Sequence, residues 1–170
     1  MLTYAAPHKV DLMAAAIINA YLQAPTSEKH FIICDSDLHC TGQAGKHAMV
    51  VRDFYGSKLS GRYFWMQLRE CMDTLGFTSC FSDPDVWMRN SKRGNGTAYY
   101  EYVLLYVDDC LVISNNSENF IREEIGKYFE FKKESIKPPD LHLSRNLRQV
   151  TLDNGVKAWY LALLNTFRLQ

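Results

Sequence analysis

The feature that most constrains this chain is a pair of adjacent aspartates inside a long apolar stretch. Asp108 and Asp109 separate residues 102–107 from residues 110–113, two runs rich in β-branched and aromatic side chains. Aspartate is disfavoured in strands, and neighbouring carboxylates repel each other unless a cation offsets their charge. The pattern therefore predicts a tight β-hairpin with an acidic tip. Either an ordinary exposed turn or a site for Mg²⁺ or Mn²⁺ would explain the two carboxylates.

Length and charge restrict the class of protein. The chain has 170 residues, which is room for one domain, and 47% of them are hydrophobic, far too many for a disordered tail. The longest apolar runs are much shorter than the roughly 18 residues of a membrane span, so no membrane partner is expected. The 19 basic and 19 acidic residues balance. Binding to nucleic acid would therefore depend on local patches or on other parts of a larger protein.

The cysteines indicate the redox compartment. Their number, five, is odd, and they form no C-x-x-C pair. This usage fits a reducing compartment, so an intracellular location, cytoplasmic or nuclear, is expected. Cys34, His39 and Cys40 lie close in sequence but lack a second ligand pair, and we interpret them as loop residues rather than a zinc site.

Apolar periodicity predicts two helices. Residues 63–75 repeat apolar side chains at three- and four-residue steps, and residues 117–129 do so after a capping Asn116. The other predicted features are strands at 31–34 and 48–54, a β-rich run at 99–113, an apolar segment at 86–88, a polar loop at 91–96 and a hairpin turn at 153–155. Strands and helices do not alternate regularly, which favours an α+β fold. Trp65, Trp87 and Trp159 are interpreted as core anchors.

Residues 106–109, Tyr-Val-Asp-Asp, resemble the Y-x-D-D hairpin of reverse transcriptases, and other blocks are similar to the polymerase of copia-type LTR retrotransposons. Residues 55–65 resemble the family block L-Y-G-L-K-Q-S-P-R-x-W-Y. Residues 75–87 resemble L-G-F-x-x-S-x-x-D-x-x-L-F, and residues 20–25 resemble A-F-L-x-x-x-L. The blocks occur in the family's order between about residue 10 and residue 159.

The resemblance implies the palm of a right-hand polymerase: an antiparallel sheet packed on helices, with partial fingers. The family makes DNA from deoxynucleoside triphosphates on an RNA template and a DNA primer, using two Mg²⁺ or Mn²⁺ ions. Residues 1–170 are expected to form a single partial reverse-transcriptase domain, with the palm at about 10–160. Most of the fingers, the thumb and RNase H are expected to be absent. The remaining Pol domains would be partners in a polyprotein.

The resemblance also implies roles for individual residues. Asp108 and Asp109 match two catalytic, metal-binding aspartates of the palm, but the third falls on Ala16. Asp11 lies five residues too early, and an odd offset on a strand faces the opposite side. This copy is therefore expected to bind metal weakly and to have little or no activity. Tyr21 matches the aromatic residue that blocks a ribose 2′-hydroxyl.

Lys58 and Arg62 match cationic positions of the family block, and we expect both to bind substrate, although solvated surface charges would give the same pattern.

Three functions stay open. The chain could be an active fragment in which another acidic residue replaces the missing ligand. It could be a non-catalytic relic of a retroelement, which is the interpretation we favour. It could also be a nucleic-acid-binding or assembly module without chemistry.

Overall fold

The structure is a computed structural model that describes residues 2–26, 28–35, 42–142 and 145–163. In chain order the elements are α1 (Leu2–Ala5), β1 (Asp11–Ala16), α2 (Ala20–Gln23), β2 (Phe31–Ile33), β3 (His47–Met49), α3 (Ser60–Thr74), β4 (Thr78–Ser79), β5 (Val86–Lys92), β6 (Ala98–Tyr106), β7 (Asp109–Ser114), α4 (Ser117–Glu123), β8 (Leu141–His142), β9 (Arg145–Thr151) and β10 (Lys157–Leu163). The fold is mixed, with antiparallel sheets, as expected for an α+β protein. The chain divides into two compact units, Met1–Ile18 with Cys71–Gln170, and Asn19–Glu70.

The main sheet of the first unit has five antiparallel strands in the order β1-β7-β6-β5-β4. The interior strand β7 is buried from Cys110 to Ser114, because β1 and β6 flank it and α4 packs against it. Helix α4 begins where the Asn116 side chain accepts a hydrogen bond from the Asn119 backbone N–H at 3.2 Å. In this sheet, β1 lies directly beside the hairpin of β6 and β7, which carries the two aspartates.

A hydrophobic cluster covers part of this sheet. Leu12 of β1 and Leu111 and Ile113 of β7 are buried together with Val10, and Trp159 of β10 packs against them. Strand β10 belongs to a second antiparallel sheet in the order β10-β9-β8. Burial of such side chains is worth about 1.5–3 kcal/mol each, so the cluster holds β1 and β7 in a fixed register.

One buried ion network ties the sheet to α4. The Arg89 guanidinium of β5 donates to the Glu101 carboxylate at 2.7 Å and pairs with Glu124 at 2.8 Å. The same guanidinium lies over the rings of Phe77 and Phe120, at 4.6 and 5.0 Å from their centroids. The charge of the buried Glu101 is thereby compensated.

The second unit contains α2, the two-stranded sheet of β2 and β3, and α3 as far as Glu70. Phe64 and Leu68 of α3 are buried, and the Asp53 backbone N–H donates to the Ala24 carbonyl at 3.0 Å. No helix among the described residues is long and apolar enough to cross a membrane.

Several predicted elements are confirmed. The helix predicted at 63–75 is α3, the strand at 31–34 is β2, and the run at 99–113 forms the hairpin of β6 and β7. The predicted turn at 153–155 joins β9 and β10, and Gly155 adopts the positive φ of 77° that such a turn requires. Trp87 is buried as predicted.

Other predictions are wrong in extent or place. The strand predicted at 48–54 ends at Met49, and α4 ends at Glu123 rather than at residue 129. β5 continues to Lys92, inside the predicted loop, because each of its residues pairs with β6. Trp65 is not a core anchor, since 41% of its surface is exposed. His39 and Cys40 lie outside the described residues.

Candidate functional site

The acidic tip is the turn between β6 and β7. Tyr106 pairs with Asp109, so Val107 and Asp108 alone make the turn. Val107 has a φ of 53°, which is rare for a β-branched residue. Both carboxylates belong to half-buried residues at the end of the hairpin. The hairpin predicted from the sequence is therefore present, with both aspartates at its tip.

Ala16 lies directly opposite Asp109 in the neighbouring strand. The register of β1 and β7 pairs these two residues, and the Ile17 backbone N–H donates to the Asp108 carbonyl at 2.8 Å. That bond makes Ala16 and Asp109 a non-hydrogen-bonded pair, in which the Cα atoms lie about 4.5 Å apart and both side chains point to the same face. Asp11 pairs with Ser114 at the other end of β7 and cannot take the place of a residue-16 carboxylate.

A third backbone segment runs along the other side of β1. The Ile18 N–H donates to the Glu130 carbonyl at 2.8 Å, and the Lys132 N–H donates to the Ala16 carbonyl at 2.9 Å. Lys132 is therefore opposite Ala16, and Asp109, Ala16 and Lys132 form one row across three neighbouring segments. No local sequence pattern marks Lys132 as a site residue, because only this long-range pairing brings it beside Ala16.

Burial and three neighbouring side chains act on the pKa of Asp109. Its desolvation, followed by the neighbouring Asp108 carboxylate, raises the pKa of Asp109, whereas His142 and Lys132 act to lower it. Burial lowers the pKa of the His142 imidazole, and the Asp109 carboxylate opposes that shift. The Nε2 atom of His142 is buried and has no hydrogen-bond partner within the described parts of the chain. Like Lys132, His142 was not predicted to lie here.

The side chains at this tip do not fit a pair of metal ions. Asp108 and Asp109 supply oxygen ligands suited to Mg²⁺ or Mn²⁺, but the position that faces Asp109 carries the methyl group of Ala16. Across the described residues, no group of three or more histidine, cysteine, aspartate or glutamate side chains is arranged to hold an ion. The side chains at the tip therefore do not complete a ligand set for two metal ions.

The other predicted site residues belong to the second unit. The Tyr21 ring is half-buried and contacts the rings of Tyr55 and Phe64, with centroids 4.9 and 6.0 Å away. Lys58 precedes α3 and Arg62 lies in its first turn, and both are exposed. The structure thus brings Ala16, Asp108 and Asp109 together in the first unit and surrounds Tyr21 with aromatic rings in the second.

No protein-family model matches the chain, and no curated protein is significantly similar to it.

Proposed function

We propose that this chain is the palm region of a reverse-transcriptase domain from a copia-type LTR retrotransposon, and that this copy has little or no polymerase activity. The family's reaction is RNA-directed DNA synthesis, with an RNA template, a DNA primer and deoxynucleoside triphosphates as partners. The proposal rests on the resemblance of the sequence blocks and on the geometry of the acidic hairpin.

The observation that carries the proposal is the pairing of Ala16 with Asp109. The sequence blocks align Ala16 with the third catalytic aspartate of the family. In a palm, that aspartate has to stand beside the Y-x-D-D tip, and residue 16 stands there. If the resemblance of the sequence blocks were due to chance, there would be no reason to expect residue 16 beside Asp109.

The Ala16 methyl group also supplies the reason for inactivity. A carboxylate at this position would share both metal ions with Asp108 and Asp109, and metal ions contribute several kcal/mol to such reactions. Because about 1.4 kcal/mol corresponds to a tenfold change in rate, losing the ligand is expected to cost several decades. Binding of Mg²⁺ or Mn²⁺ is expected to be weak for the same reason.

The cysteines support a reducing, intracellular environment for this proposed protein. Cys34, Cys71, Cys80 and Cys110 are all free thiols. Free thiols persist where glutathione and thioredoxin keep them reduced.

Primer extension tests the proposed function. The purified chain is given an RNA template, a labelled DNA primer, deoxynucleotides and Mg²⁺ or Mn²⁺. We expect no extension by the wild type and template-directed extension by Ala16→Asp, and we expect Asp109→Asn to abolish that gain. Ala98→Asp, which adds the same charge at an exposed position in β6, should stay inactive.

Two results would contradict the proposal. Extension by the wild type that Asp109→Asn abolishes would mean that the copy is active without a carboxylate at position 16. Equal inactivity of folded Ala16→Asp and Ala98→Asp, together with no gain of Mn²⁺ binding in Ala16→Asp, would mean that residue 16 is not the missing ligand.

A further inference from the structure

The outward face of α3 carries an unusual combination of side chains. Trp65 and Met66 lie three and four residues after Arg62 and four and three residues before Arg69, so the four residues share one face of this 15-residue helix. Trp65 is 41% exposed and Met66 is 49% exposed. We call these four residues the α3 stripe. Adjacent exposed apolar side chains with charged residues around them are typical of interaction surfaces.

Basic residues lie before and after the exposed Trp65 indole along the chain. The Arg69 guanidinium lies 5.5 Å from the centroid of the Trp65 ring, in a cation–π contact. Arg62 is exposed one turn before Trp65, and Lys58 is exposed just before the helix begins. The stripe therefore offers an exposed aromatic ring with one arginine a turn before it and another a turn after it.

An acidic side chain limits the stripe at one end. Glu70 is exposed in α3 directly after Arg69. A polyanion on this face is consequently expected to extend from Trp65 toward Arg62 and Lys58, and not toward the C-terminal end of the helix. This path from Trp65 to Lys58 follows the positive charge and lies entirely in the second unit.

We propose that the α3 stripe binds single-stranded nucleic acid, with a base stacked on Trp65 and phosphates beside Arg62 and Arg69. Aromatic rings that stack bases and cations that follow the backbone are the two components of sequence-tolerant single-strand binding. The choice of nucleic acid as the ligand rests on the proposed function. The contact itself needs neither metal nor the Asp108–Asp109 tip, so a catalytically inactive copy would retain it.

The test measures binding of a fluorescein-labelled 20-nucleotide single-stranded DNA of mixed sequence to the whole chain, by anisotropy at low salt. Stacking is worth about 1–3 kcal/mol per base, so Trp65→Leu is expected to weaken binding roughly five- to hundredfold. Trp65→Phe should retain most of the affinity. Tyr160→Leu, which removes an exposed aromatic residue from β10, should change nothing.

Charge variants give a second readout. Arg62→Gln and Arg69→Gln are each expected to lower the slope of log affinity against log salt by about one, the amount expected for one lost phosphate contact. Lys127→Gln removes an exposed lysine from the first unit and should leave the slope unchanged. Quenching of tryptophan emission by the DNA is expected in the wild type and should be lost in Trp65→Leu.

The inference is overturned if the folded chain binds no DNA, or if Trp65→Leu binds as tightly as the wild type. It is also overturned if Trp65→Leu only abolishes self-association, because the stripe would then join two copies. The proposed function is judged separately, by Ala16→Asp. A gain of polymerase activity there with unchanged DNA binding in Trp65→Leu would reject the stripe alone. Weakened DNA binding in Trp65→Leu, with neither polymerase activity nor a gain of Mn²⁺ binding in Ala16→Asp, would reject the polymerase proposal alone.

Discussion

Val107 occupies the most constrained backbone position of the acidic tip. Its φ of 53° lies in the left-handed region, where a β-branched side chain crowds the following carbonyl. The pairing of Tyr106 with Asp109 leaves only two residues for the turn and so imposes this conformation. Part of the hairpin's pairing energy is therefore used to hold Val107 in place.

Val107→Gly is expected to stabilise the chain by up to about 1 kcal/mol, because glycine adopts this conformation without strain but is more flexible when unfolded. Urea denaturation measures the effect. Val150→Gly, in β9 and outside the positive-φ region, is the matched control and should destabilise. A loss of stability in Val107→Gly as large as in Val150→Gly would contradict the strain at the tip.

The cysteines differ in the chemistry open to them. Cys71 is buried, and its burial raises the pKa of its thiol to about 12. At pH 8 roughly one molecule in ten thousand would carry the reactive thiolate there. Burial also raises the pKa of Cys110, whereas Cys80 is half-buried.

Iodoacetamide at pH 8 is therefore expected to label Cys80 well before Cys71 or Cys110 in the native chain. In urea the three should react at similar rates, because the burial that separates them is lost. Mass spectrometry of the alkylated peptides measures the order. Native labelling of Cys71 as fast as that of Cys80 would show that this part of the core is open.

Arg89 links its own strand, β5, to three other elements of the fold, and no local sequence motif predicts these links. It joins β5 to β6 through Glu101, to α4 through Glu124, and to the end of α3 through the Leu75 carbonyl at 2.8 Å. The Glu101 carboxylate also accepts hydrogen bonds from the hydroxyls of Tyr99 and Ser114. Removing the arginine would leave Glu101 buried without its cation.

Arg89→Met is expected to destabilise the chain by about 3 kcal/mol or more, the usual cost of breaking a buried ion pair from one side. Arg122→Met is the control, since Arg122 pairs with Glu118 on the exposed side of α4 and should cost at most about 0.5 kcal/mol. Urea denaturation of the two variants gives the comparison. Equal losses would mean that the Arg89 network adds little.

The elements predicted correctly are those that depend on residues close together in the sequence. The periodicity of 63–75 predicted α3, and the aspartate pair predicted the hairpin of β6 and β7. In the same periodic pattern, Trp65 lies beside the buried face of α3 and not on it. We predicted its burial because it is a large aromatic residue, and that prediction is wrong. α4 ends early because the chain has to turn through Ile125–Lys127 and bring Glu130 and Lys132 onto β1.

At the scale of the whole molecule, the candidate site could be predicted only in part. Asp108 and Asp109 are adjacent in sequence, and their hairpin followed from local rules. The neighbouring position of Ala16 was expected only from the resemblance to a family. Lys132 and His142 are far from both in sequence, and only long-range pairing brings them to Asp109.

Residue 16 pairs with Asp109, and we propose that a metal ligand is missing at this position. Mn²⁺ binding, followed by calorimetry on the purified chain, tests this most directly. Ala16→Asp is expected to bind Mn²⁺ at least about tenfold more tightly than the wild type, because a third carboxylate joins the pair. Adding Asp109→Asn should remove the gain, and Ala98→Asp should not produce one.

Equal, weak Mn²⁺ binding by well-folded wild-type and Ala16→Asp chains would contradict the account. Residue 16 would then not face the acidic tip, and both the polymerase palm and the reason for its inactivity would have to be abandoned.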